Sequence, residues 1–171
     1  MKTSLKIFAL LLFMFAYTSL DAQTYKFGHL NSSELLQSLP ATKEAEKTLE
    51  TFTTQWKGKL EAKYATLDGE MNTFYQRKQN GDMTQKEEEM KTAELNQMQM
   101  EAQQMEAQAQ QELAQKQETL LNPILDIARN AITQLAEEEG YSYIFDTSMG
   151  VVLHAEESED VTAKVKAKLG L

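Results

Sequence analysis

Large or apolar side chains alternate with small or polar ones from Tyr25 to Asn31 (YKFGHLN), the period of two expected of a half-buried strand. Asn31, Ser32 and Ser33 are good N-cap residues for the SELLQSL that follows. Pro40 then disfavours helical geometry at Leu39 while suiting the first turn of a new helix. From Ala45 the period changes. Leu49, Phe52, Trp56, Leu60, Tyr64, Leu67, Met71 and Phe74 succeed one another at steps of three or four, a helical stripe of average period about 3.6 that should supercoil only weakly. Gly58 and Gly69 lie inside this stripe, each costing ~1 kcal/mol relative to Ala and leaving the arm more pliable.

Asn80-Gly81 breaks the pattern, and Thr84-Gln85-Lys86-Glu87 restarts it with the spacing of a capping box. Two long helices joined by so few residues run antiparallel. Arms of roughly forty residues reach about 60 Å. The returning helix is soft and polar in AELNQMQMEAQQMEAQAQQELAQKQETL (93–120). Its seam hardens through Leu120, Leu121, Ile124, Ile127, Ala131, Ile132 and Leu135, with Pro123 removing one backbone hydrogen bond on the way. Gly140 fits a helix stop. Two β-rich runs follow, Tyr141–Phe145 and Val151–His154, joined by a loop of plausible hairpin length. Ser158-Glu159-Asp160 then caps a short helix over Val161 to Leu169.

The predicted fold class is therefore α+β: a long antiparallel helical hairpin over 41–119, its tip near 80–83, projecting from a small β-sheet body built from both termini, 23–40 and 120–171. Three short strands and two helix pieces bury little apolar area for one chain, and oligomerisation is the simplest way to supply the rest.

At the start, MKTSLKIFALLLFMFAYTSLDAQ has a short basic stretch, an apolar run from Ile7 to Ala16, and small or polar residues before Gln23. This is the layout of a secretory signal peptide over 1–22, cleaved after Ala22. The run is too short for a bilayer span, which needs ~20 residues. The chain carries a net charge of −9, and losing Lys2, Lys6 and Asp21 makes it one unit more negative. An acidic chain gains nothing from counterion release on nucleic acid and is repelled by anionic membrane surfaces. Neither nucleic acid nor stable membrane insertion is expected. Cysteine is absent, which excludes disulfides and a thiol-linked lipid.

The arm supplies the candidate chemistry. Met83, Met90, Met98, Met100 and Met105 are flexible, polarizable side chains that adapt to partners of varied shape. Met98 and Met100 lie about 200° apart on a helix, so both cannot face the other arm. With Trp56, Tyr64, Phe74 and Tyr75 they form a candidate set for weak binding of apolar segments. The competing reading is that Met and aromatic residues fill a loosely packed seam, which most of the aromatics fit and Tyr75 does not.

The strand-and-helix start FGHLNSSELLQSLP, the long polar hairpin, NPILDIARNAITQLAEEEGYSYIFDTS and the ending DVTAKVKAKLG together resemble the Skp/OmpH family of periplasmic chaperones. The resemblance covers essentially the whole mature chain. It implies a Skp-like homotrimer whose three hairpin tentacles enclose a cavity. It further implies a periplasmic location, ATP-independent holding of unfolded outer-membrane β-barrel proteins, and no cofactor. Phe27, Leu30, Ile144, Phe145, Val151 and Leu153 are then the candidates for the body core and trimer contact. One departure matters: better-known members have basic tentacle tips, whereas here Arg77 and Lys78 stand beside Asp82 and Glu87-Glu88-Glu89. A lipopolysaccharide site is not carried over.

Catalysis requires a convergent constellation of side chains. His29 and His154 both fall in predicted strands, and the serines show no nucleophile elbow, so neither an enzyme nor a metal site is expected. The alternative to a holdase is a structural coiled-coil scaffold or adaptor of the cell envelope. Such a scaffold would call for a seam of well-packed Leu and Ile rather than Met, Gln and Ala.

Overall fold

A computed structural model describes residues 25–171; the predicted signal segment lies outside them. The chain folds as strand β1 (Phe27–Leu30), helix α1 (Ser32–Ser38), helix α2 (Pro40–Gln79), helix α3 (Gln85–Glu139), strand β2 (Tyr143–Asp146), a 3-10 turn (Glu157–Glu159) and helix α4 (Thr162–Lys168).

Local chemistry sets most of these boundaries. The Asn31 side chain accepts the Glu34 N–H at the start of α1, and Pro40 occupies the first turn of α2. At the tip Gly81 takes a positive φ of 72°, a conformation that costs glycine nothing. Thr84 and Glu87 then cap α3 reciprocally, each side chain accepting the other's backbone N–H at 2.8 to 3.3 Å. Helix α3 runs 55 residues through Pro123 to Gly140, whose φ of 72° ends it.

The two arms, α2 and the first part of α3, return the chain to its start, so that β2 pairs with β1 across more than a hundred residues. The pairing is parallel, Phe27 opposite Tyr143 and His29 opposite Phe145. A parallel pair needs a long crossover, and the whole hairpin serves as one. Below this sheet lies the core: Leu30, Leu35, Ala128, Ala131, Leu135, Val161 and Val165. A second, smaller cluster of Leu39, Ala45 and Ile124 joins it to the arm root.

The predicted strand over Val151–His154 does not form, and the sheet has two strands among the described residues. Instead of turning back beside β2, the chain after Asp146 is held on the β1 side, the Thr147 N–H donating to the Leu30 carbonyl at 2.9 Å and the Ser148 hydroxyl meeting that of Ser32 at 3.0 Å. The other edge of β1 is occupied by Asp160, with the Val161 N–H donating to the His29 carbonyl at 2.8 Å. The 151–156 stretch is tied to the sheet by a single bond, from His29 Nε2 to the Glu156 carbonyl. The last helix starts one residue later than expected, its first N–H accepted by Asp160 Oδ1. No helix among the described residues is long and apolar enough to cross a membrane.

Candidate functional site

Two surfaces carry the chemistry: the arms and the outer face of the small sheet. Along the arms the seam is narrow. Trp56, Leu67 and Phe74 of α2 are buried against α3, where Ala102 and Ala109 are the buried small residues that let the helices approach. The Trp56 indole N–H is enclosed there without a hydrogen-bond partner, and the Lys59 ammonium lies 4.6 Å from the ring centre.

Polar contacts flank the seam. Lys63 pairs with Glu101, and Lys91 with Glu70, both at 2.7 Å. Hydrogen bonds from Lys63 and then Gln97 hold the Glu101 carboxyl below the usual range. Those to Glu70 and then Glu94 raise the Lys91 ammonium. Tyr64 donates to Glu106 at 3.3 Å, and desolvation followed by that carboxylate raises its phenol. At the tip Arg77 faces Glu87 and Lys78 pairs with Glu88, so both basic tip residues are neutralised by neighbours.

The predicted arm residues separate accordingly. Trp56 and Phe74 are only 6% and 8% exposed, so their area is given to the seam and not to a ligand. Tyr64, Met83, Met98 and Met105 are half-buried. Tyr75, Met90 and Met100 are exposed, Tyr75 with its ring tilted against Phe74. Met98 and Met100 thus face different ways, as their spacing requires.

On the body, Leu30 is buried and Ile144 packs against the core. The other four body candidates are not in the core of the chain. Phe27 and Phe145 stand on the opposite face of the sheet, about half exposed, and Val151 and Leu153 are 79% and 96% exposed. The reason is the alternation itself. Gly28, Leu30 and Ile144 point inward, so Phe27, Tyr143 and Phe145 must point outward. These three rings stack on one another at 5.8 to 6.2 Å, with Tyr25 at 6.4 Å from Phe27. These rings form an apolar face of the kind that marks an interaction surface. From the following loop Val152 and His154 line a hollow with Phe27 and Phe145, and Met149, Val151 and Leu153 are exposed.

The sequence reading missed four participants. Tyr143 enters the stack because parallel pairing aligns it with Phe27. Ala102 and Ala109 look like ordinary helix formers until Trp56 and Leu67 are placed opposite. Gly28 admits the Tyr141 ring, 2.9 Å from where a Cβ would stand, a close approach that an isolated strand glycine can signal. Among the described residues no cluster of three His, Cys, Asp or Glu side chains converges as a metal site.

Comparison with known proteins places this geometry. A family model described as outer membrane protein (OmpH-like) matches residues 26–169. The chain is also similar to the crystal structure of a protein from Caulobacter crescentus described as an OmpH-like outer membrane chaperone. The TM-score is 0.71 at 21% identity, over 85% of this chain and 83% of the other. Among curated proteins none matches the sequence.

Proposed function

The chain belongs to the OmpH-like outer membrane protein family, and from that premise we propose that it is an ATP-independent periplasmic holdase, exported by a cleaved signal peptide. In this reading it binds unfolded outer-membrane β-barrel proteins between the arms of a homotrimer. The observation that carries the reading is the division of apolar surface. The body leaves a stacked aromatic face uncovered, while the long arms expose Tyr75, Met90 and Met100 singly among polar residues.

A second subunit seated on Phe27, Tyr143 and Phe145, extended by Val151 and Leu153, would supply the apolar burial that a two-stranded sheet lacks. Repeating that contact around a three-fold axis leaves three arms side by side. The separate Met and Tyr side chains then offer many weak, adaptable contacts. Such contacts hold a chain without fixing its conformation, and the enclosed client is kept from other unfolded chains.

The direct test dilutes a urea-unfolded outer-membrane β-barrel into buffer and follows light scattering with and without the protein. Suppression at stoichiometric trimer is the expected result. Undiminished scattering at severalfold excess would sink the holdase and favour an envelope scaffold. Mass-resolved chromatography tests the trimer separately, and Phe27→Asp with Phe145→Asp should give monomers.

A further inference from the structure

We propose that the root of the arm pair is a cationic groove that takes an extended, acidic segment of the client, with carboxylates on alternate residues. The inference deepens the holding role proposed above and rests on it.

Between α2 and α3, just above the body, lies a groove of about 710 Å3 whose cations are Lys43, Lys47 and Lys116. Elsewhere on the arms Lys57, Lys63, Arg77, Lys78 and Lys91 each have a glutamate within ion-pair distance, whereas Lys86 stands alone among the described residues and Lys59 lies over the Trp56 ring. The three root lysines have no such partner among the described residues, and Glu44 is the sole acidic residue lining the groove. The first turn of α2 adds no acid either, so the positive end of a 40-residue helix is uncompensated there. Three like charges are thus gathered in a chain whose net charge is −9. Their mutual repulsion falls when an anion enters.

The shape of the groove selects among anions. Lys43 and Lys47 are one helical turn apart, about 6 Å along the axis. In an extended chain, residues i and i+2 project to the same side about 6.6 Å apart, so alternate carboxylates can meet both lysines. Farther along, Phe52 lines the groove with the Lys116 ammonium 5.9 Å from its ring centre, so this end sets the third cation beside the ring's apolar surface. From Lys43 to Gln55 the groove runs about 18 Å, the length of five or six extended residues. A free phosphate is too small to use this length. A bilayer surface must also approach the rest of an acidic chain, which it repels.

The test uses fluorescein-labelled seven-residue peptides with aspartates at alternate positions and one leucine, read by anisotropy at low salt. An asparagine counterpart and a peptide with adjacent aspartates serve as controls. The alternating peptide should bind about fivefold more tightly than the asparagine peptide, in keeping with two exposed ion pairs. Moderate salt should erase the preference, and so should Lys43→Gln, Lys47→Gln and Lys116→Gln together, with helical circular dichroism unchanged. Equal affinities, or a preference that survives the triple variant, overturns the proposal. Lysine-dependent binding to phosphatidylglycerol vesicles that the peptide cannot displace overturns it in favour of a lipid surface. The same triple variant should still suppress aggregation of a client lacking acidic runs. If the unaltered protein fails that assay, the holding role falls, whereas loss of peptide selectivity alone removes only the groove.

Discussion

The body and the arm are built from the same chain at opposite extremes of packing. In the body, Leu35, Val161 and Val165 are fully enclosed, and Leu30, Ala128, Ala131 and Leu135 close around them. In the arm, burial comes at wide intervals, at Trp56, Leu67 and Phe74 on one helix and at Ala102 and Ala109 on the other. Charged contacts occupy much of the space between. The body is therefore held by area removed from water, while the arm depends on helix propensity, caps and solvent-screened pairs. The proposed holding role would draw on the second kind of surface, one that tolerates both water and partial opening.

Breaking the body should have the largest effect. Leu35→Ala removes a fully buried side chain and should cost about 2–5 kcal/mol, read as a lower denaturation midpoint for the whole chain. If only the arm loosened, the assignment of stability to the body would be wrong. Gly28→Ala comes next. The new Cβ would stand 2.9 Å from the Tyr141 ring and 3.3 Å from Val161, so about 1–3 kcal/mol of overpacking is expected in the same measurement.

Changes in the arm should be smaller and local. Thr84→Ala removes one half of the capping box at the tip and should cost about 1 kcal/mol. Faster amide exchange near 84–90, with exchange in 128–135 unchanged, would separate the arm from the body. Acidification should give the smallest effect. Glu101 titrates below its ordinary value of 4.5 because Lys63 donates to it. Its contribution is complete above that value and is lost as pH falls through the lowered one. Lys91, raised above 10.5 mainly by Glu70, contributes fully below 10.5 and loses its contribution only as pH rises through the raised value. With the intrinsic pH dependence of exchange divided out, arm amide protection should thus fall from pH 6 to below 4 and hold between pH 6 and 9. The body has lowered carboxyls of its own at Glu139, Asp146 and Asp160, so its protection should fall in the same acid range. Protection unchanged in both regions would show that these pairs contribute nothing.

What could be read from the chain alone follows the range of the interactions involved. Pro40, Thr84 with Glu87, Gly81 and Gly140 act within a few residues of themselves, so the limits of the long helices were legible. So was the division into an outward arm and a body made from both ends. The spacing of Met98 and Met100 already required that they face different ways. The choice of partner was not legible. Periodicity marks Tyr141–Phe145 and Val151–His154 alike as strands, but only the first is used, paired with β1, while the chain beyond Asp146 is drawn to the β1 side and Asp160 meets the other edge of β1. For the same reason the sequence did not say that Phe27 and Phe145 would stack outward with Tyr143. Nor did it say that Trp56 and Phe74 would be hidden while Tyr75 stayed open. Each of these outcomes depends on contacts between residues tens of positions apart, whose register is set only when the arms close and bring the two ends of the chain together.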